Sequence, residues 1–225
     1  MAKIENLYIH IGRHKSASTT IQSWLFSNRS NLIDNGFLYL STNNNPKICA
    51  GRWGAAHNLA NSCIDISKEG YKKIDEASKI ILQQAETSNC KNIILSSEAF
   101  QNIHDTKLIE YLISIISPKK VIIICIFREF LDYAISDYRQ KIHARYKFVK
   151  SQSFIESFYI DIENFHKIWS CIGEFKGLIL NDYNPRTNEL FHKFEEIFEI
   201  KSYTLKYPKI PKNVSIGGDL LAYKL

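Results

Sequence analysis

The sequence predicts a single α/β domain over residues 1–225, with a central, mostly parallel sheet flanked by helices. Three observations carry that prediction. Short apolar runs alternate with stretches of helical periodicity, and no internal repeat or Pro/Gly/Ser-rich linker interrupts them. A chain of 225 residues, 45% apolar and 23% charged, has enough apolar residues for one sizeable core. Its composition is too ordinary for a disordered, collagen-like or low-complexity protein. Three apolar runs also end in polar clusters: Gly12-Arg13-His14-Lys15-Ser16, Ser96-Ser97-Glu98 and Arg128. In an open parallel sheet the ligand crevice lies outside the C-terminal strand ends, so these clusters are expected to converge there.

The elements follow in chain order. Residues 7–12 form the first strand, and a helix follows from Ser18, with Ile21, Trp24, Leu25 and Asn28 at helical spacing. Asn35-Gly36 is a turn before a short strand at 37–40. Residues 41–70 are less regular: Asn43-Asn44-Asn45-Pro46 and Gly51 mark a loop, and 53–63 holds a helix. An amphipathic helix covers 71–89, with Ile74, Ala77, Ile80, Ile81 and Ala85 on one face. Residues 92–97 are a buried strand, 106–117 a helix stopped by Pro118, and 121–127 the most apolar strand. Helices are expected at 131–146 and 153–172, a strand at 178–180 and a helix at 188–198. The tail contains Pro208, Pro211 and Gly217-Gly218 and reads as irregular.

The balance of 29 basic against 23 acidic residues gives +6, which suits an anionic ligand but is too weak for wholesale nucleic-acid coating. The five cysteines, Cys49, Cys63, Cys90, Cys125 and Cys171, are odd in number and form no C-x-x-C pair. Neither a disulfide framework nor a structural zinc site is expected, and a reducing compartment fits best. The longest apolar run has seven residues, whereas a membrane helix needs about 20. The N-terminal apolar stretch is too short and polar for the core of a signal peptide. The expectation is a soluble cytoplasmic protein with no integral membrane segment.

The sharpest motif is His10-Ile11-Gly12-Arg13-His14-Lys15-Ser16-Ala17-Ser18-Thr19-Thr20. It reads as a strand, a tight loop and a helix start. Loop amides and a helix N-terminus make an anion site, to which Lys15 adds a point charge and Ser16, Ser18, Thr19 and Thr20 add hydroxyl donors. A polar turn with a serine N-cap is the plainer reading, but capping does not call for a lysine and four hydroxyls. The loop is not a Walker A motif, which needs Gly-x-x-x-x-Gly-Lys-Ser/Thr: two residues separate Gly12 from Lys15, and no glycine precedes the lysine.

Lys15-Ser16-Ala17-Ser18-Thr19 resembles the 5′-phosphosulfate loop of sulfotransferases that use 3′-phosphoadenosine 5′-phosphosulfate (PAPS), whose pattern is Lys-Ser/Thr-Gly-Ser/Thr-Ser/Thr. The preceding His-x-Gly and the following Ile21-Gln22 resemble the bacterial branch. The family's glycine is Ala17 here, and a positive φ at that position would strain an alanine. The strand at 121–127, Arg128 at its end and Ser136 in the next helix resemble the family's 3′-phosphate site. An arginine gives a forked, permanent cation suited to phosphate, although Arg128 taken alone reads equally as a partner of Glu129 or Asp132. Weaker likenesses are Ala56-His57-Asn58-Leu59-Ala60, Ser96-Ser97-Glu98-Ala99-Phe100 and Asn213-Val214-Ser215.

The resemblance implies a P-loop-like sulfotransferase fold and transfer of a sulfuryl group to a hydroxyl acceptor. It implies a carbohydrate or glycolipid acceptor, 3′,5′-ADP as product and no required metal. It places the donor on Gly12, Arg13, His14, Lys15, Ser16, Ala17, Ser18, Thr19, Thr20, Arg128 and Ser136, with Lys15 neutralising the leaving group. The acceptor hydroxyl needs a general base, for which Glu98 stands first and His57 second. Each has a structural alternative: Glu98 as a helix N-terminal carboxylate, His57 as a half-buried, hydrogen-bonded histidine. Basic residues Arg139, Lys141, Arg145, Lys147 and Lys150 are either a solvated face or a surface for an anionic acceptor; nucleic acid fits less well. Two rivals remain. One is a kinase or NTPase, favoured by a faint Walker B likeness in Leu178-Ile179-Leu180-Asn181-Asp182. The other is a non-catalytic nucleotide-binding relative.

Overall fold

Five parallel strands form one sheet in the order β2-β3-β1-β4-β5. They are β1 (Asn6–His10), β2 (Phe37–Tyr39), β3 (Asn92–Ser96), β4 (Lys120–Phe127) and β5 (Glu174–Ile179). The computed structural model describes residues 3–12, 16–40, 47–49, 53–145, 150–180, 187–201 and 204–208. The helices are α1 (Ser18–Ser27), α2 (Arg29–Asp34), α3 (His57–Ser62), α4 (Lys68–Thr87), α5 (Lys107–Ile116), α6 (Phe130–Arg145), α7 (Ser151–Ser157), α8 (Ile162–Ile172) and α9 (Glu189–Phe198). A short 3-10 helix, Glu98–Asn102, follows β3.

Successive strand residues point to opposite faces, and helices cover both. Leu7, Ile9, Ile93, Leu95, Ile123 and Cys125 pack with residues of α3, α4, α5 and α8. Tyr8, Ile94, Ile122, Ile124 and Leu178 pack with α1, α2 and α9. β4 is apolar almost throughout because it serves both layers. At the edge, hydrogen bonds from Lys120 and Lys176 tie Glu174 down and hold its carboxyl at about 2.

The topology meets the expectation of converging strand ends. β1 lies between β3 and β4, with His10 in register with Ser96 on one side and Ile124 on the other. The chain leaves β1 toward β2 and leaves β4 toward β5. The connections therefore diverge between the C-terminal ends of β1 and β4, where open sheets hold ligands.

Several local expectations need correction. The first helix stops at Ser27 and a second begins at Arg29, because the Asn28 side chain turns back to the Trp24 carbonyl. The helix expected within 53–63 is α3, which starts only at His57 because Trp53 and Gly54 both take positive φ. The helix expected over 153–172 is two helices: Phe158 is extended, and the Asp161 carboxylate caps α8 by accepting from the Asn164 amide. β5 starts earlier, at Glu174, because its outer residues are exposed and leave no apolar signal. The Asn35-Gly36 turn has Gly36 at φ +79°, and Ser117 ends α5 in the left-handed region before Pro118.

Candidate functional site

The site is assembled from the C-terminal ends of β1, β3 and β4. β1 ends at His10 and turns through Gly12 toward α1. A Cβ on Gly12 would stand 2.2 Å from Ser18 Oγ and 3.1 Å from His10 Nε2, so the close approach of loop and helix start requires glycine. Ala17 enters α1 with φ 61° and ψ 14°. The position does need the left-handed conformation, and the alanine bears the strain. The N-cap residue, Ala17, offers no side-chain cap to α1, and no acidic residue occupies the first turn. A helix start carries a partial positive charge from its first backbone N–H groups.

Two buried polar atoms beside this start have no hydrogen-bond partner among the described residues: Ser16 Oγ and His10 Nε2. His10 is 1% exposed, and its Nδ1 lies 2.8 Å from Ser96 Oγ. Burial holds its imidazolium down at about 4, with the charge of Glu98 pushing weakly the other way.

The end of β3 adds the acid–base groups. Ser97 Oγ accepts from the Ala99 amide at 3.0 Å and lies 2.7 Å from His57 Nδ1. The direction of that hydrogen bond follows the imidazole tautomer, and the ring's other nitrogen is Nε2. That nitrogen faces Glu98 Oε1 at 3.9 Å. The second carboxylate oxygen, Oε2, accepts from Gln22 Nε2 at 3.0 Å. Gln22 lies one turn into α1 and is 3% exposed. One hydrogen bond thus joins the helix that starts at the loop to the carboxylate that ends β3. The Ala56 amide donates to the Ser96 carbonyl at 2.9 Å, which sets α3 and His57 beside the same strand end.

Arg128 follows β4 and is partly exposed. One guanidinium nitrogen lies 3.7 Å from Asp132 Oδ2, too long for a strong charge-assisted bond. Glu129 instead accepts from the Asp132 amide at 2.8 Å and caps α6. Ser136 lies further along α6, half-buried.

Gly12, Ser16, Ala17, Ser18, Thr19 and Thr20 thus sit at one strand–helix junction, and Glu98 and His57 form a pair tied to it through Gln22. Arg128 stands on the neighbouring strand end. Arg13, His14 and Lys15, as well as Asn213-Val214-Ser215 and Asn181-Asp182, lie outside the described residues. So do Lys147 and the side chains of Lys141 and Arg145. No protein-family model and no curated protein matches the chain. Among the described residues no helix is long and apolar enough to cross a membrane.

Gln22, Ser96 and Ser97 carry site geometry that sequence reasoning assigned no role. Gln22 had a signal: a polar residue four positions after Ser18 shares its helix face, while Ile21, Trp24 and Leu25 fill the buried stripe. The two serines read only as polar strand ends.

Proposed function

We propose that the chain is a sulfotransferase that moves a sulfuryl group from PAPS to a hydroxyl group of a carbohydrate or glycolipid. The observation that carries this reading is the Gln22–Glu98 hydrogen bond, which couples a carboxylate–imidazole pair to an uncapped helix start with buried, unpaired donors. An anion seated at the α1 start would therefore lie beside a base. The residues present fit the donor: loop amides and Ser16, Ser18, Thr19 and Thr20 for the phosphosulfate, Arg128 and Ser136 for the 3′-phosphate.

In the proposed reaction the acceptor oxygen forms a bond to sulfur as the bond from sulfur to the bridging oxygen breaks. The hydroxyl proton passes to Glu98, and the electron pair of the broken bond leaves on the 5′-phosphate of 3′,5′-ADP. Glu98 is preferred to His57 as the base because His57 Nδ1 is already engaged with the Ser97 hydroxyl, whereas Glu98 follows β3 at the C-terminal edge of the sheet. Gln22 orients Glu98 by donating to Oε2, and His57 Nε2 lies 3.9 Å from Oε1. Lys15, by the family resemblance, neutralises the departing phosphate.

Two features favour this reading over its rivals. The strand with the faint Walker B likeness is β5, and β4 separates it from β1. Two strand spacings, about 10 Å, would stand between its end and the loop. Residue 17 also takes the left-handed conformation that a glycine adopts readily, although it is an alanine.

The test is transfer of labelled sulfate from PAPS to a panel of neutral and acidic glycans and glycolipids, with and without EDTA. Transfer to one acceptor class that survives chelation is expected. No transfer to any acceptor, together with no binding of 3′,5′-ADP, would overturn the reading; Mg²⁺-dependent hydrolysis of a nucleoside triphosphate would replace it with the kinase or NTPase alternative.

A further inference from the structure

A cavity of about 580 Å³ lies at the opposite edge of the sheet from the crevice. Asn6, Lys120 and Glu174, the first residues of β1, β4 and β5, line it. Tyr8, Ile122 and Glu174 are in register on neighbouring strands and share one face, so they form a row across its floor. α9 and its C-cap, Glu199, close the other side. The size, the apolar floor of Ile122 and Leu178 and the few polar groups around it suit a small molecule.

Tyr8 is the group that packing leaves unexplained. It is 4% exposed, and its ring is held edge-on to Phe198 at 5.0 Å and tilted against Phe37 at 5.8 Å. Its hydroxyl has no hydrogen-bond partner among the described residues, whereas a buried tyrosine hydroxyl ordinarily finds one. The charges of Glu199 and Glu174, both cavity residues, act on that hydroxyl, so it stands on the cavity side of the ring. Burial, with these two charges behind it, pushes the hydroxyl up to about 12, and it stays a donor. Charge is divided across the space. Lys120 and Lys176 share the one carboxylate of Glu174, an excess of positive charge over β4 and β5. Each ammonium has three donors, so both keep some for a ligand. On the other side Lys193 neutralises Glu196, while Glu199 has no ion-pair partner among the described residues. Glu199 ends α9 in the left-handed conformation, where the carbonyl end of the helix adds partial negative charge.

We propose that this cavity binds a small zwitterion of the ω-amino carboxylate type, its carboxylate held by Tyr8, Lys120 and Lys176 and its ammonium by Glu199. The site is separate from the crevice and does not depend on the reaction proposed there. A simple anion would meet Glu199, and a simple amine would meet the lysines; a ligand with both charges satisfies both walls. An α-amino acid carries its two charges on one carbon. Here the lysines stand on β4 and β5, whereas Glu199 follows Phe198, which packs on Tyr8 of β1. One to two strand spacings, about 5–10 Å, separate the walls. A methylene chain between the charges spans that distance and lies along Ile122, Leu178 and Ile197.

The experiment is calorimetric titration of the full chain with 6-aminohexanoate, and separately with hexanoate and with hexylamine, which keep the carbon chain and each lose one charge. The first titration is repeated in the presence of 3′,5′-ADP. The expected result is one molecule of 6-aminohexanoate bound per chain, with an affinity that 3′,5′-ADP leaves unchanged. Hexanoate and hexylamine should each bind at least about ten-fold more weakly, the worth of a charge-assisted hydrogen bond. Tyr8→Phe keeps the ring and its packing and should weaken 6-aminohexanoate by about three- to ten-fold. Glu199→Gln, at an exposed position, should bring 6-aminohexanoate down to the affinity of hexanoate and leave hexanoate no weaker. A variant that merely disturbed the fold would weaken both probes alike. No saturable binding of 6-aminohexanoate at millimolar concentration, equal affinities for the three probes, or a preference that survives Glu199→Gln would overturn the proposal. Displacement by 3′,5′-ADP would put the ligand in the crevice and overturn it as well. Should Tyr8→Phe fail to fold, the three probes and Glu199→Gln decide.

Discussion

Gly12→Ala tests how tightly the loop is built onto the first turn of α1. The added methyl carbon would stand 2.2 Å from Ser18 Oγ, 3.2 Å from Ser18 Cβ and 3.1 Å from His10 Nε2. The hydroxyl can rotate away, but Ser18 Cβ is fixed by the helix backbone, and the His10 ring is held between Ser96 and Phe194. Carbon contacts settle at about 3.5–4.0 Å, so relief requires the loop or the helix start to shift. Overpacking of this kind costs about 1–3 kcal/mol. In a chain of this size each kcal/mol lowers Tm by about 2–4 °C, so a fall of about 2–12 °C is expected. Ser18→Ala removes the nearest atom, so the double variant should lose less than the two single variants together, with a coupling of about 0.5–1 kcal/mol. Urea denaturation of the four proteins measures both quantities. A Gly12→Ala cost below about 0.3 kcal/mol, or strict additivity, would refute the packing argument.

Three further outcomes follow from the same geometry. His10 titrates near 6.5 when unfolded and at about 4 when folded. Above pH 6.5 it is neutral in both states and adds no pH dependence. As the pH falls from 6.5 toward 4 only the unfolded chain takes up the proton, so stability drops by about 1.4 kcal/mol per pH unit, and the urea midpoint of His10→Gln should be flatter across that window. Ala17→Gly should raise stability by about 0.5 kcal/mol, the strain of a left-handed alanine less the chain entropy of glycine; a lowered Tm would count against strain at that residue. Glu98→Gln should leave 3′,5′-ADP affinity nearly unchanged and lower turnover by about 10²–10⁴-fold, whereas near-normal turnover alongside an inactive His57→Ala would make His57 the base.

Most of the fold was legible because the strands that matter are buried on both faces. The runs around Ile9, Ile94 and Ile123 carry continuous apolar signals, and all three are almost wholly buried. β5 was seen only at its end because its lateral position exposes Lys176 and Gly177. The break between α7 and α8 escaped because Asp161 acts as a cap only once Asn164 folds back onto it, and helical periodicity continues across the gap. The loop and its helix announced themselves through glycine, hydroxyls and a lysine in one stretch. Glu98 and His57 were legible as candidates, but their pairing was not, since it depends on Ala56 docking against the β3 end from forty residues away in sequence. Gln22 and Ser96 matter through a single hydrogen bond each, which no local pattern encodes.

The most direct measurement of the central claim is calorimetric titration of the full chain with 3′,5′-ADP and, separately, with ADP. Arg128 follows β4, 3.7 Å from Asp132, and is the residue proposed to meet a 3′-phosphate. A charge-assisted phosphate contact contributes about 1.5–3 kcal/mol, so 3′,5′-ADP should bind at least about ten-fold more tightly than ADP, and Arg128→Ala should remove most of that preference. Equal affinities for the two nucleotides in the parent protein, or binding of neither, would contradict the account.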